Sequence, residues 1–157
     1  MQPFPHHYSA CALADPQADV TLRSSGLQPL RSAAPAEFDG PGDRWSPETL
    51  IVGAIADCYI LTFRSLARAA RLPFISLSCS VDGTLDRIDR AAQFTAFTVH
   101  ARLKVAEGTD EEQARRLLHK AEQSCLISNS LKAAPHLEIE LELVAPVEPV
   151  AAWHQAD

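Results

Sequence analysis

SPETLIVGAIADCYILTFRSLARAAR, residues 46–71, is the stretch of sequence that decides the fold. Ser46 is a favourable N-cap residue and Pro47 suits the first helical position, so the stretch predicts one long helix. Glu48 follows in the first turn, where the helix dipole favours a negative charge. Nearly every side chain from Leu50 to Phe63 is apolar. A helix that is apolar on all sides is normally buried in a core or an interface.

The rest of the chain predicts strands and two further helices. Alternating apolar and polar residues, typical of strands with one buried face, occur at Ile75–Leu85, Phe97–Val105 and Leu137–Val144. Three shorter strands are predicted before the long helix, at Tyr8–Leu13, Ala18–Arg23 and Leu27–Ala33. Residues 86–92 are predicted to form a polar connection. Thr109 or Asp110 caps a second, amphipathic helix, and a short helix is expected at Leu126–Ala133. Antiparallel pairs outnumber βαβ units, which predicts an α+β fold.

Composition and length restrict the class of protein. The chain has 157 residues, which predicts a single domain over residues 1–144 and an irregular tail at 145–157. Its net charge of −6 argues against a nucleic-acid partner. No uninterrupted apolar run reaches the length of a membrane span, and the N-terminus lacks the pattern of a signal peptide. We therefore expect a cytoplasmic protein without a membrane role.

The long helix also predicts a second copy of the chain. One small sheet covers only one face of a helix, so either a second layer or a second copy must cover the rest. We favour a homodimer in which the long helices pack together, because closed dimers are the commonest assemblies.

The four cysteines raise the question of function. They form no CxxC pair and no cluster with histidine, so we expect no metal site and no disulfide scaffold. Cys79, on the apolar face of a strand, and Cys11 are interpreted as small buried hydrophobic residues. Cys58, in the apolar helix, is either core or a reactive thiol. Cys125 lies at a break between helical segments, where a helix N-terminus would lower the thiol pKa and small polar neighbours would admit solvent. Two cysteines on separate helices can form a peroxidatic and resolving pair.

Two motifs carry a resemblance to a known family. GDRWSPETLIVGAIADCYILTF, residues 42–63, resembles the signature of the OsmC/Ohr family of osmotically inducible and organic-hydroperoxide-resistance proteins. KAEQSCLISNSLKA, residues 120–133, is similar to that family's second-cysteine motif. The resemblance covers roughly residues 8–144. It implies an intertwined α+β homodimer with two central helices buried between antiparallel sheets, and thiol-dependent reduction of hydroperoxides without a cofactor.

The resemblance also implies roles for individual residues. Cys58 would be the peroxidatic cysteine and Cys125 the resolving one, and an external dithiol would reduce their disulfide. Glu48 would match the family's glutamate, which orients an arginine beside the reactive thiol. Glu48 and Cys58 are ten positions apart, about 15 Å along one helix, so a shared site needs another chain or an intermediary. A disulfide would require the two cysteine Cα atoms to lie within about 7 Å.

The arginine and the substrate pocket are less defined by the sequence. Arg23, Arg31 and Arg44 are available, and we favour Arg44 because it immediately precedes the helix entry; it is equally well a solvated loop charge. Three aromatic residues could line an apolar pocket for a hydroperoxide tail or belong to the core: Trp45, Tyr59 and Phe63.

Two other functions remain open. One is a non-catalytic OsmC-like stress or binding protein that holds a small hydrophobic ligand at the dimer interface. The other is a purely structural dimer with inert cysteines. The accessibility of Cys58, and its proximity to Cys125 and to an arginine, would distinguish these from a peroxidase.

Overall fold

A computed structural model of the chain describes residues 2–145. Its elements are β1 (Cys11–Leu13), β2 (Val20–Arg23), β3 (Leu30–Ser32), α1 (Pro47–Ala70), β4 (Ser76–Ile88), β5 (Ala91–Ala106), α2 (Glu111–Gln123) and β6 (His136–Val144). Short 3₁₀ turns lie at Ala36–Phe38 and Ser128–Ser130. The chain forms two compact units, Met1–Ile51 and Val52–Asp157, which are described in turn. The predicted irregular tail falls, after residue 145, outside the described residues.

The first unit contains a small antiparallel sheet in the order β1-β2-β3. Its strands lie within the predicted ranges but are shorter, and turns at residues 16–17 and 25–26 connect them. The segment before α1 is tied to this sheet, since Trp45 bridges to Ser32 and the Ala33 N–H donates to the Trp45 carbonyl at 2.9 Å. The sheet therefore positions the residues that lead into the long helix.

The predicted start of α1 is confirmed by its capping geometry. The Ser46 Oγ accepts a hydrogen bond from the Thr49 N–H at 3.2 Å, and the Ser46 N–H donates to the Thr49 Oγ1 at 2.8 Å. This reciprocal pair satisfies backbone donors that would otherwise lack partners at a helix N-terminus. Ser46 is almost fully buried, so the cap forms part of the packed structure.

The second unit contains a three-stranded sheet in the order β4-β5-β6. Strands β4 and β5 form a long antiparallel hairpin, closed by Asp89 and Arg90, which both have positive φ angles. Residues 86–92 therefore pair as strands, and the predicted polar connection is wrong: exposed side chains do not prevent backbone pairing. Strand β6 pairs with β5 in parallel, because α2 carries the chain back across the sheet as a crossover connection.

Helix α1 supplies one stripe of the core. Ile55, Tyr59, Phe63 and Ala67 follow each other at intervals of four residues and are at most 1% exposed. The core around this stripe comes from β5 and α2, and includes Val99, Ala101, Leu103, Val105, Ala114, Leu118 and Ala121. Helix α1 also approaches β4 closely, because a Cβ atom at Gly83 would lie only 2.9 Å from the Val52 side chain.

The other faces of α1 are not covered within one chain. Leu61, in the middle of the apolar stretch, is 52% exposed. By length and hydropathy the whole helix also meets the criteria for a membrane span. The short length of the uninterrupted apolar run therefore does not exclude a span, and that step of the prediction is wrong. The buried stripe gives this apolar helix a place in the protein core, as in soluble proteins whose core helices meet the same criteria.

The opposite face of the second sheet is polar. Its ion pairs are Arg102–Glu140 at 2.7 Å and Lys104–Glu142 at 3.1 Å. The two ring nitrogens of His100 lie 2.9 Å from the Asp82 and Glu138 carboxylates. Exposed pairs of this kind stabilise a protein by at most about 1 kcal/mol each. This face is accordingly a solvated surface.

Candidate functional site

The second unit brings Cys58 and Cys125 together. The Tyr59 hydroxyl donates to the Leu118 carbonyl at 3.2 Å and so ties α1 to α2 immediately beside Cys58. Cys125 follows two residues after the end of α2. The pKa of Cys125 is raised first by burial and further by a hydrogen bond and charge interaction with the Cys58 thiol, while hydrogen bonds with Ser128 lower it. The two thiols therefore lie near each other, and both are free.

The local structure at Cys125 differs from the expectation. The predicted helix Leu126–Ala133 is reduced to the 3₁₀ turn Ser128–Ser130, so no helix begins at Cys125. Its N–H donates to the Glu122 carbonyl at 3.1 Å and its carbonyl accepts from the Asn129 N–H at 3.0 Å. The side chain has no exposed surface. The expected lowering of the thiol pKa and the expected access of solvent are both wrong for this residue, because burial disfavours the thiolate.

The two thiols differ in accessibility. Cys58 is partly exposed, whereas Cys125 is fully buried. Within this chain, Cys58 therefore has surface open to solvent, whereas a reactant from solvent cannot reach Cys125. This asymmetry suits a pair in which one thiol meets the substrate and the other reacts only with its neighbour.

The other two cysteines have different surroundings. Cys79 packs against the core from β4, and burial, assisted by the charge of Cys125, raises its pKa to about 11. Such a thiol stays protonated near neutral pH. Cys79 therefore behaves as a small hydrophobic residue, in agreement with the prediction. Cys11 is exposed, because all three residues of β1 are exposed, and its predicted burial is wrong.

In the first unit, Glu48 and the arginines lie around the start of α1. The Glu48 Oε2 is buried and has no hydrogen-bond partner among the described residues. The Arg44 Nε donates to the Asp19 Oδ2 at 3.1 Å, and its Nη1 lies 2.8 Å from the Asp43 Oδ2. The pKa of Arg44 is raised, first by the hydrogen bond to Asp19 and then by the charge of Asp43. Arg44 is therefore held in ion pairs and is not simply a solvated loop charge.

The remaining arginine candidates are placed differently. The Arg31 Nε lies 3.3 Å from the same Asp19 oxygen, and Arg31 is largely exposed. Arg23 is exposed at the end of β2 and forms no ion pair within residues 2–145. Asp19 is not among the predicted site residues. Its partners lie 12 and 25 residues further along the chain, so no local spacing could have revealed it.

Two of the three aromatic candidates are core residues. Tyr59 and Phe63 are at most 1% exposed, and the Phe63 ring packs edge-on against Phe74 with 5.4 Å between ring centroids. They do not line an open pocket, and the expectation that they contact substrate is wrong because both fall on the buried stripe of α1. Trp45 is 49% exposed and remains available to a ligand.

The comparisons with known proteins identify the family. The family model described as OsmC-like protein matches residues 40–140, a range that includes both cysteine motifs. The chain belongs to the OsmC-like protein family. The OsmC/Ohr resemblance carried by residues 42–63 and 120–133 is thereby confirmed.

Similar proteins span nearly the whole chain. This OsmC-like chain is 29% identical over 140 residues to the uncharacterized protein YmaD of Bacillus subtilis, covering 86% of the chain and 92% of YmaD. An OsmC-like protein of unknown function from Vibrio cholerae has a TM-score of 0.76 at 19% identity, over 86% of this chain and 99% of that one. An organic hydroperoxide resistance protein OsmC from Legionella pneumophila has a TM-score of 0.70 at 21% identity, over 89% and 99% of the two chains. These structural likenesses establish the α+β fold.

Proposed function

We propose that this protein is a thiol-dependent peroxidase that reduces organic hydroperoxides with Cys58 and Cys125. The observation that carries the proposal is the pairing of a partly exposed Cys58 thiol with a buried Cys125 thiol. Solved neighbours that are named organic hydroperoxide resistance proteins support the choice of substrate class. A dithiol in the cytoplasm would supply the reducing equivalents.

The chemistry follows from the different positions of the two thiols. The Cys58 thiolate attacks the distal peroxide oxygen, the O–O bond breaks, and the alkoxide leaves as the alcohol after taking up a proton. Cys58 is then a sulfenic acid. The Cys125 sulfur attacks the Cys58 sulfur, loses its proton, and displaces the hydroxide as water, which leaves a disulfide. An external dithiol reduces this disulfide by exchange and restores both thiols.

The residues of the first unit would assist the thiolate. Glu48 has a buried oxygen without a partner among residues 2–145, and a buried carboxylate is stabilised by a cation. We assign Glu48 to orient an arginine, for which Arg44 is the first choice, beside the Cys58 sulfur of the second copy, because Glu48 and Cys58 are too far apart along α1 to meet within one chain. A guanidinium stays charged and would stabilise both the thiolate and the departing oxygen. Trp45 is retained as a contact for the apolar part of the substrate.

The test is mass spectrometry without reductant after one equivalent of an organic hydroperoxide is added to the reduced protein. We expect rapid formation of a Cys58–Cys125 disulfide in the wild type and none in Cys58→Ser. Cys79→Ser serves as the matched control and should behave as the wild type, because that thiol stays protonated. Thiols that remain reduced, or that oxidise at the same slow rate in all three proteins, would refute the peroxidase and favour a non-catalytic binding protein.

We also propose that the protein is a homodimer in which the exposed apolar face of α1 is covered by the second copy. Leu61 lies on that face: it is an apolar residue in the middle of the apolar stretch, and it is 52% exposed. Sedimentation should therefore give twice the chain mass of 17.1 kDa. Leu61→Asp would place a charge in the interface and should yield monomers.

The matched control for this experiment is Leu27→Asp, which makes the same change at an exposed leucine in a turn of the first unit. It should sediment as the wild type does. A monomeric wild type, or a dimer that tolerates Leu61→Asp as well as Leu27→Asp, would contradict this arrangement.

A further inference from the structure

Asp19 is the centre of the ion pairs in the first unit. Its Oδ2 lies 3.1 Å from the Arg44 Nε and 3.3 Å from the Arg31 Nε, so one carboxylate oxygen serves two guanidinium groups. The Asp19 side chain is only 24% exposed, whereas Arg31 is 70% exposed. Arg44 is bound a second time by Asp43, whose carboxylate is well exposed and whose pairing is correspondingly weak.

The same unit contains a second carboxylate, that of Glu48, one oxygen of which lacks a partner among residues 2–145, whereas Asp19 has two. The Glu48 Oε2 is buried and has no hydrogen-bond partner in the described part of the chain. Leaving such an oxygen unpaired costs the desolvation free energy of the group without the compensation of a hydrogen bond. Arg31 and Arg44 line, together with Thr49 of the first helical turn, a concavity of about 310 Å³. Both arginines therefore line a concavity that includes Thr49, the residue after Glu48, while both are paired with Asp19.

Because Asp19 is paired with two arginines, the free-energy cost of separating one of them from it is small. If Arg44 leaves Asp19, Arg31 still neutralises that carboxylate, so no buried charge is left alone. Arg44 is the better of the two to transfer, because it is half as exposed as Arg31 and only four residues from Glu48. Its exposed partner Asp43 returns to full hydration when the pair opens.

We propose that Asp19 is a positioning residue that competes with Glu48 for Arg44 and so sets the fraction of the protein in which Arg44 can assist the Cys58 thiolate of the second copy. The link to Cys58 rests on the proposed peroxidase function. The competition itself rests on the ion pairs of the first unit. Arg31 acts as the counter-charge that lets Asp19 release Arg44.

The experiment measures the pH dependence of Cys58 alkylation by iodoacetamide, resolved by peptide mass. Asp19→Asn keeps the shape of the side chain and removes its charge, so Arg44 is free to pair with Glu48. We expect the alkylation rate of Cys58 at pH 7 to rise several-fold. Arg31→Gln should have the opposite effect, because Asp19 then depends on Arg44 alone.

Two further variants separate competition from a general charge effect. Asp15→Asn makes the same charge change in the same turn and should leave the alkylation profile unchanged. Glu48→Gln, combined with Asp19→Asn, should remove the gain seen with Asp19→Asn alone. A slower Cys58 in Asp19→Asn, an equal effect of Asp15→Asn, or a gain that survives Glu48→Gln would each overturn the competition.

Failure of this inference is distinguishable from failure of the proposed function. Hydroperoxide consumption by the wild type tests the peroxidase alone, and it does not depend on how Asp19 behaves. If Asp19→Asn does not fold, which circular dichroism would show, Arg31→Gln tests the same competition with the opposite sign. An Arg31→Gln variant with an unchanged or faster Cys58 then overturns the inference.

Discussion

Cys58→Ser is expected to reduce the rate constant for reduction of an organic hydroperoxide by roughly 10³-fold or more, because it removes the attacking thiolate. Cys125→Ser should retain the first step, since Cys58 is the thiol with exposed surface. It should consume the first equivalent of hydroperoxide at the wild-type rate and then turn over more slowly, because no internal thiol resolves the Cys58 sulfenic acid and only the external dithiol reacts with it. Stopped-flow measurement of hydroperoxide consumption under excess dithiol would distinguish a lost first step from lost turnover.

Cys79→Ser is the control for these two variants, since it makes the same substitution at another cysteine of the same unit. Its raised pKa of about 11 keeps the thiol protonated, and both phases should proceed at the wild-type rate. If Cys58→Ser kept the fast phase, or if Cys125→Ser lost it while Cys79→Ser did not, the assigned order of the two thiols would be incorrect.

Phe63→Ala is expected to lower the free energy of unfolding by about 3–5 kcal/mol, the usual cost of truncating a buried aromatic side chain. Phe63 has no exposed surface and packs edge-on against Phe74. The truncation would remove this contact and leave a cavity where α1 packs on the second sheet. Urea unfolding at one fixed protein concentration would measure the change, because a dimer's stability depends on concentration.

Arg64→Ala, at the neighbouring and exposed position of α1, is the matched control. It should change the free energy of unfolding by no more than about 0.5 kcal/mol, as is usual for surface substitutions. Similar losses in Phe63→Ala and Arg64→Ala would mean that the buried stripe of α1 does not dominate the stability of the second unit. That result would also reopen the possibility that Phe63 is accessible to a ligand.

Local patterns predicted the elements well where their physical cause is local. The Ser46 cap and Pro47 place the start of α1 correctly, since capping depends on residues within one turn. Asp110 caps α2 as expected, with its Oδ1 accepting from the Gln113 N–H at 2.8 Å. The alternation that predicted the final strand Leu137–Val144 is matched by β6, His136–Val144. The parallel direction of β6 is not a local property, because it depends on the path that α2 takes across the sheet.

The candidate site divides in the same way. The two motifs around Cys58 and Cys125 indicate the family from residue types and spacing, and the family match confirms that identification. Burial of Cys125 could not be predicted, because its small polar neighbours suggested solvent access. The ion pairs of Arg44 and the core position of Tyr59 also depend on residues distant in the chain.

The sequence by itself determined the long apolar helix, the alternating strands and the α+β class, because periodicity, capping and residue type act over a few neighbouring positions. The roles of Cys58 and Cys125 came from the resemblance to a family and stay a prediction. Only the tertiary structure decided which thiol is exposed, which aromatic residues are core, and that Asp19 holds two arginines. Burial and ion pairing are set by residues that meet after the chain has folded. Exposure, thiol pKa and the partner of an arginine are therefore properties of the packed protein.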